Sequence, residues 1–168
     1  MEGAATLPPP REPGRYRIAM VCLGNICRSP MAHVVVESRL AEAGLADVVE
    51  VTSAGTGGWH EGGPMDDRAA TTLTAAGYDA TRHRARTFDP TWHEEHDLVL
   101  VMDRSNLRAV GGAGERTMLF RAFDPEEPGG EVPDPYYGEL SGYEEVLRMV
   151  ERTSTSLVAT LRQELSRT

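Results

Sequence analysis

The stretch Val21-Cys22-Leu23-Gly24-Asn25-Ile26-Cys27-Arg28-Ser29-Pro30 decides how the rest of the chain is read. Ahead of it, residues 16–22 form a short apolar run that reads as a buried strand. Behind it, Met31, Val34, Val35 and Leu40 recur at helical spacing. Ser29 suits the N-cap of that helix and Pro30 its first turn, where a missing N–H costs nothing. The residues between strand and helix therefore form a loop at a helix N-terminus. Such a loop turns successive main-chain N–H groups toward one point, and the helix dipole adds positive potential there. Gly24 supplies conformational freedom, and Asn25 tolerates a left-handed backbone. Leu23, Gly24, Asn25, Ile26, Cys27, Arg28 and Ser29 together make a candidate nest for phosphate or another oxyanion.

A cysteine at the lip of that nest is expected to ionise readily, because the same field favours the thiolate. Cys22 is then a nucleophile aimed at phosphorus. Arg28 presents a planar fork of donors that matches two phosphate oxygens and stabilises the spread charge of a phosphoryl-transfer transition state. The leaving group needs a proton, and Asp134 is the candidate donor. It sits in Glu131-Val132-Pro133-Asp134-Pro135-Tyr136-Tyr137-Gly138, a proline-bracketed segment without helical or strand periodicity. Alone, Asp-Pro is a turn; the Cys22 loop moves the reading toward an acid. Other carboxylates fit other roles. Asp66 and Asp67 read as an N-cap and a first-turn acid, Asp103 as a cap, and Asp124, Glu126 and Glu127 as parts of a solvated loop.

The remaining pattern alternates. Residues 16–22, 48–53, 97–102 and 115–119 read as strands, and 31–43, 67–76, 104–110 and 143–165 as helices. Alternation of this kind implies an α/β fold: a four-stranded parallel sheet with helices on both faces, in the flavodoxin-like three-layer layout. Ligands then bind at the carboxyl ends of the strands, where the Cys22 loop lies. Residues 1–15, rich in proline, glycine and charge, are expected to be a disordered tail ahead of a single domain over 16–168.

The 168 residues carry a formal charge of −9, and every basic side chain is arginine, which suggests a GC-rich bacterial genome. The acidic balance argues against nucleic acid as the main partner. It also makes the local positive potential of the nest and Arg28 more important. No signal peptide is visible and no run approaches a membrane span, so no membrane partner is expected. Two cysteines in one reactive loop indicate a reducing, cytoplasmic compartment, not a disulfide framework. Trp92-His93-Glu94-Glu95-His96 lacks zinc-motif spacing, and Gly111, Gly112 and Gly114 lack the dinucleotide pattern, so no metal or cofactor is expected.

Residue for residue, Val21 to Pro30 resembles the active-site loop of the low-molecular-weight protein tyrosine phosphatases. The resemblance continues in Thr52-Ser53-Ala54-Gly55, Trp59, His83, Val101-Met102-Asp103-Arg104-Ser105-Asn106-Leu107 and Asp134-Pro135-Tyr136-Tyr137-Gly138. It covers nearly the whole chain from Tyr16 onward, and the run from Ser53 to His60 looks like the bacterial, especially actinobacterial, branch. The resemblance implies hydrolysis of phosphotyrosine in proteins, and of small aryl phosphates, through a cysteinyl-phosphate on Cys22. Arg28 would bind the phosphate, and Asp134 would act as acid and then as base on the attacking water. The resemblance also implies that Asn25, Ser29, Ser53 and His83 hold the loop by hydrogen bonds. On the residues alone, Ser53 is a loop serine and His83 one polar group in an arginine-rich stretch. By the same resemblance, Cys27 can form a protective disulfide with Cys22 after oxidation; alone, it reads as a packing cysteine.

Leu23, Trp59, His60, Tyr136 and Tyr137 correspond to the family's substrate groove, whose depth would select phosphotyrosine over the shorter phosphoserine. Ile26 goes with tyrosine phosphatases, whereas arginine phosphatases of this fold carry threonine there. Inorganic phosphate and other oxyanions are implied as product and inhibitors. Two other readings share these residues. A thioredoxin-coupled arsenate reductase relays a disulfide through a further cysteine, and this chain has none beyond Cys27. A non-catalytic phosphotyrosine-binding or redox-sensing module would not need the full catalytic set present here.

Overall fold

The computed structural model of the chain describes residues 5–166. Strands β1 (Tyr16–Cys22), β2 (Val49–Gly55), β3 (Leu98–Val101) and β4 (Thr117–Leu119) form one sheet in the order β2-β1-β3-β4. Every neighbouring pair is parallel, with Cys22 opposite Gly55 on one side of β1 and Val21 opposite Val101 on the other. This is the expected flavodoxin-like layout. The strand order reverses beside β1, and a crevice opens at its carboxyl end.

The period-two alternation of β1 serves two cores. Ile18, Met20 and Cys22 join the larger cluster, while Ala19 and Val21 join the smaller. Helices α1 (Arg28–Glu42), α2 (Asp67–Ala75) and α5 (Leu140–Leu165) cover the first face. Trp92 of α3 (Trp92–Glu95) and Leu107 of α4 (Arg104–Ala109) pack against the second. Helix α5 buries Val146, Leu147, Val150, Leu157, Val158 and Leu161 along one stripe. Each such side chain contributes about 1.5–3 kcal/mol relative to exposure. No helix of the described residues is long and apolar enough to cross a membrane.

Four sequence expectations change. First, α1 begins at Arg28, with Cys27 in the N-cap position and no side-chain cap. Ser29 is therefore not the cap; it lies inside the first turn because its hydroxyl is taken by other partners, described below. Second, α5 starts at Leu140 and β4 at Thr117, and a short 3-10 turn spans Phe120–Phe123. Third, Asp124 is not solvated. It is 1 % exposed and accepts hydrogen bonds from Arg121 Nε at 2.8 Å and from Arg152 Nε and Nη2 at 2.8 and 2.9 Å. Its carboxyl is opposed by burial but is held well below the usual range by those arginines and the Glu126 N–H.

The fourth change concerns the expected tail. Residues 1–4 of it lie outside the described residues. From residue 5 onward the stretch packs on the sheet's base: Leu7 is buried in the main core, and the Tyr16 hydroxyl donates to the Pro8 carbonyl at 2.9 Å. Arg11 donates through its N–H to Asp97 and through its guanidinium to the His96 and His93 carbonyls. Leu7, Ala5, the Pro8 carbonyl and Arg11 anchor a segment whose composition alone gives no periodicity.

Candidate active site

The loop after β1 turns its carbonyls away from the crevice. Cys22 O and Leu23 O accept from the N–H groups of Thr56 and Gly57, both at 2.9 Å. Ile26 O accepts from Asp66 N at 2.9 Å, and Asn25 O from His83 Nε2 at 2.7 Å. Asn25 is the residue that makes this path possible. At φ 57° it is the one non-glycine residue with a left-handed backbone among those described. With the carbonyls satisfied from outside, the N–H groups from Leu23 to Arg28 remain for an anion, at the N-terminus of a 15-residue helix.

Side chains lock the same path. The Asn25 carboxamide oxygen accepts from Arg86 N at 2.8 Å, and its NH2 donates to Ser29 Oγ at 2.8 Å. The Ser29 hydroxyl lies 3.0 Å from Cys22 Sγ, with the Ala54 carbonyl as a second, longer acceptor at 3.4 Å. His83 is pushed below its ordinary value by burial and so donates to Asn25 as a neutral imidazole. Ser53 stands apart: its hydroxyl pairs with His33 Nδ1 at 3.3 Å, and His33 Nε2 donates to Glu37 at 3.1 Å. Among the expected loop-support residues, Asn25, Ser29 and His83 make hydrogen bonds within or to the loop, while the Ser53 side chain hydrogen-bonds to His33 instead. The i, i+4 spacing of His33 and Glu37 is the sequence signal for that neighbouring pair.

Arg28 is almost wholly buried, and its Nη1 contacts Asp103 Oδ2 at 2.6 Å and the Val132 carbonyl at 3.1 Å. Nη2 lies 3.6 Å from Asp134 Oδ2. Burial opposes its charge, but Cys22, Asp103 and Asp134 hold the guanidinium above its ordinary value. Asp103 was legible only as a cap. It is one, accepting from Asn106 N at 2.7 Å, and its second oxygen orients Arg28. Cys22 and Cys27 are both free thiols. Burial pushes the Cys27 thiol up to about 12, against the pull of the Tyr143 hydroxyl at 3.4 Å. As placed, Cys27 is a protonated packing group, and any disulfide with Cys22 requires that proton to leave first.

Above the nest opens a cleft of about 400 Å³ lined by Cys22, Leu23, Gly24, Ile26, Cys27, Arg28, Trp59, His60, Asp134, Tyr136 and Tyr137. The structure thus brings Cys22, Arg28, Asp134, Trp59, Tyr136 and Tyr137 to one place. A Cβ at Gly24 would lie 3.2 Å from His60 Cδ2, so the imidazole would have to give by a few tenths of an ångström. Trp59 and Tyr137 stand 72 % and 93 % exposed at the rim, and Tyr136 meets Tyr137 edge-on at 5.0 Å. His93 and His96 lie elsewhere and have main-chain partners: His93 Nε2 donates to Val110 O and His96 Nδ1 to Trp92 O. Among the described residues no cluster of three or more His, Cys, Asp or Glu side chains could hold a metal.

Comparison with known proteins agrees with this architecture. A 158-residue alignment to a low molecular weight protein-tyrosine-phosphatase of Streptomyces coelicolor shows 46% identity, covering 89% of this chain and 96% of that one. Low molecular weight protein-tyrosine phosphatase A of Mycobacterium tuberculosis is 45% identical over 139 residues, 80% of this chain and 84% of that one. The crystal structure of YfkJ from Bacillus subtilis superposes with a TM-score of 0.83 at 30% identity, covering 89% of this chain and 96% of that one. The profile of the low molecular weight phosphotyrosine protein phosphatase family matches residues 17–167, and the chain belongs to that family.

Proposed function

We propose that the protein hydrolyses phosphotyrosine in proteins, and small aryl phosphates, through a cysteinyl-phosphate on Cys22. The observation that supports this is the Cys22 loop, whose carbonyls are held from outside, whose Asn25 is left-handed, and whose Cys22 Sγ lies 3.0 Å from Ser29 Oγ. The sulfur attacks phosphorus in line with the leaving oxygen, and the S–P bond forms as the P–O bond breaks. The nest and Arg28 take up the charge on the equatorial oxygens. Asp134 gives its proton to the departing phenolate, then removes one from the water that splits the S–P bond. Inorganic phosphate leaves, and the thiolate returns to its hydrogen bond with Ser29. The aromatic rim supports an aryl ester as substrate, and Ile26, at the cleft wall, fits tyrosine rather than arginine phosphatase activity.

Two measurements test this reading. Phosphotyrosine peptides are expected to be hydrolysed in preference to phosphoserine and phosphoarginine versions of the same sequence. A preference for phosphoarginine would reverse the reading of Ile26. Asp134→Ala is expected to lower kcat/KM for phenyl phosphate by about a hundredfold, within the usual range for a general acid. A silent variant would mean that another group supplies the proton.

Gly55 tests the rigidity of the nest. A Cβ there would lie 2.7 Å from Leu23 O and 2.9 Å from both Asn25 N and Gly24 C. All three are main-chain atoms, so the loop itself must shift. Gly55→Ala is expected to lower kcat/KM for an aryl phosphate by about a hundredfold, since a displacement near 1 Å in a catalytic array has that cost. Activity within threefold of wild type would show that the nest yields without penalty.

A further inference from the structure

We infer that Arg68 is a positioning residue that latches the Asp134 segment to the phosphate loop. The inference rests on the reading of Asp134 as general acid. Asp134 has little to hold it in place. Its side chain is 35 % exposed, Oδ1 accepts only from Tyr136 N in its own turn at 3.1 Å, and Oδ2 lies 3.6 Å from Arg28 Nη2. Its aim therefore depends on where the segment from Asp134 to Gly138 sits. That segment is one folded unit, closed by Gly138 N donating to Pro135 O at 2.9 Å.

Arg68 grips this unit from below. Its Nη1 donates to Gly138 O at 3.2 Å, and its Cζ lies 5.4 Å from the centre of the Tyr136 ring. The same Cζ lies 4.9 Å from the centre of the Tyr143 ring of α5. A cation over two ring faces is attracted to both and so ties Tyr136 to Tyr143. Nε and Nη2 fork onto the two oxygens of Asp66 at 3.2 and 3.1 Å. Asp66 in turn donates its N–H to Ile26 O, within the phosphate loop. The chain of contacts runs from the loop carbonyl through Asp66 and Arg68 to the turn that carries the acid. Lysine could supply the charge but not the fork.

The charge of Arg68 is matched by Asp66, so the latch adds little net field at the nest. Its loss should spare phosphate binding and impair proton delivery. That separation is readable by varying the leaving group. In kcat/KM, which ends at the first irreversible step, p-nitrophenyl phosphate has little need of an acid and phenyl phosphate depends on one. Arg68→Met is expected to lower kcat/KM for phenyl phosphate at least about tenfold, and for p-nitrophenyl phosphate less than about threefold. The inhibition constant of inorganic phosphate should stay within about twofold. Arg68→Lys should show the same selectivity with a smaller loss, and it carries the test should Arg68→Met not fold.

Asp134→Ala is measured beside them. If it discriminates between the two esters while both Arg68 variants do not, the latch is overturned and the acid stands. Equal losses on both esters in the Arg68 variants also overturn it, since that is the mark of a general structural or binding role. If Asp134→Ala itself fails to discriminate, the acid assignment falls and the latch falls with it.

Discussion

Cys22→Ser is expected to abolish turnover of aryl phosphates, by at least about ten-thousandfold in kcat, the order seen when a covalent nucleophile is removed. The substitution leaves the nest in place. Asn25 still donates to Ser29, and the carbonyls of Cys22, Leu23, Asn25 and Ile26 are held by donors outside the loop. What changes is the attacking atom. A serine hydroxyl is a far weaker nucleophile than a thiolate at neutral pH, and no base is positioned beside it. Phosphate and aryl phosphates should therefore still bind. Equilibrium binding of a phosphotyrosine peptide to Cys22→Ser, with mass spectrometry of the quenched wild-type reaction for phosphate on Cys22, separates binding from chemistry. Turnover within tenfold of the wild type would rule out the covalent mechanism.

Asp124→Ala is expected to cost about 3–5 kcal/mol of folding stability, the penalty for stranding a buried charge. Arg121 is nearly as buried as Asp124, and Arg152 presents two nitrogens to the same carboxylate. Removing the anion leaves the buried Arg121 with Glu127, at 2.9 Å, and the partly exposed Arg152 with Glu126, at 3.4 Å. The effect should reach function, because Arg121 Nη1 also donates to Glu131 O at 2.7 Å, at the start of the segment that carries Asp134. The acid limb follows the same logic. The Asp124 carboxyl is lowered in the folded state, so its contribution is complete above the unfolded value near 4 and is lost as pH falls below it. Urea melts of wild type and Asp124→Ala at pH 7 and below pH 4 give both numbers. Curves that superpose at pH 7 would show that the triad contributes nothing to folding.

The residues that could be read from the sequence are those whose partners are near in the chain. The Cys22 loop declares itself because strand, left-handed turn and helix follow one another within a few residues. Asp66 and Asp103 were legible as caps because each accepts from an N–H two or three residues ahead. The second oxygen of Asp103 was not legible, because Arg28 lies 75 residues away. Arg152, 28 residues from Asp124, and Leu7 on the main core are hidden for the same reason. Ser29 shows the opposite failure. Its local pattern is a good cap, but a thiol seven residues back and the Asn25 carboxamide take the hydroxyl first. Ser53 fails similarly, drawn to a histidine on α1 rather than to the loop beside it.

Asn25 and its outside donors finish the anion site before any ligand arrives, while Trp59 and Tyr137 at the rim are mostly bare. The two layers can therefore diverge independently over evolutionary time. A substitution in the base disturbs contacts reaching to Gly57, Asp66, His83 and Arg86, so it is met at once by selection for folding. A substitution at Tyr137, 93 % exposed, disturbs little beyond its edge-on contact with Tyr136. What the cleft meets at its rim can therefore change without altering the contacts that hold its base.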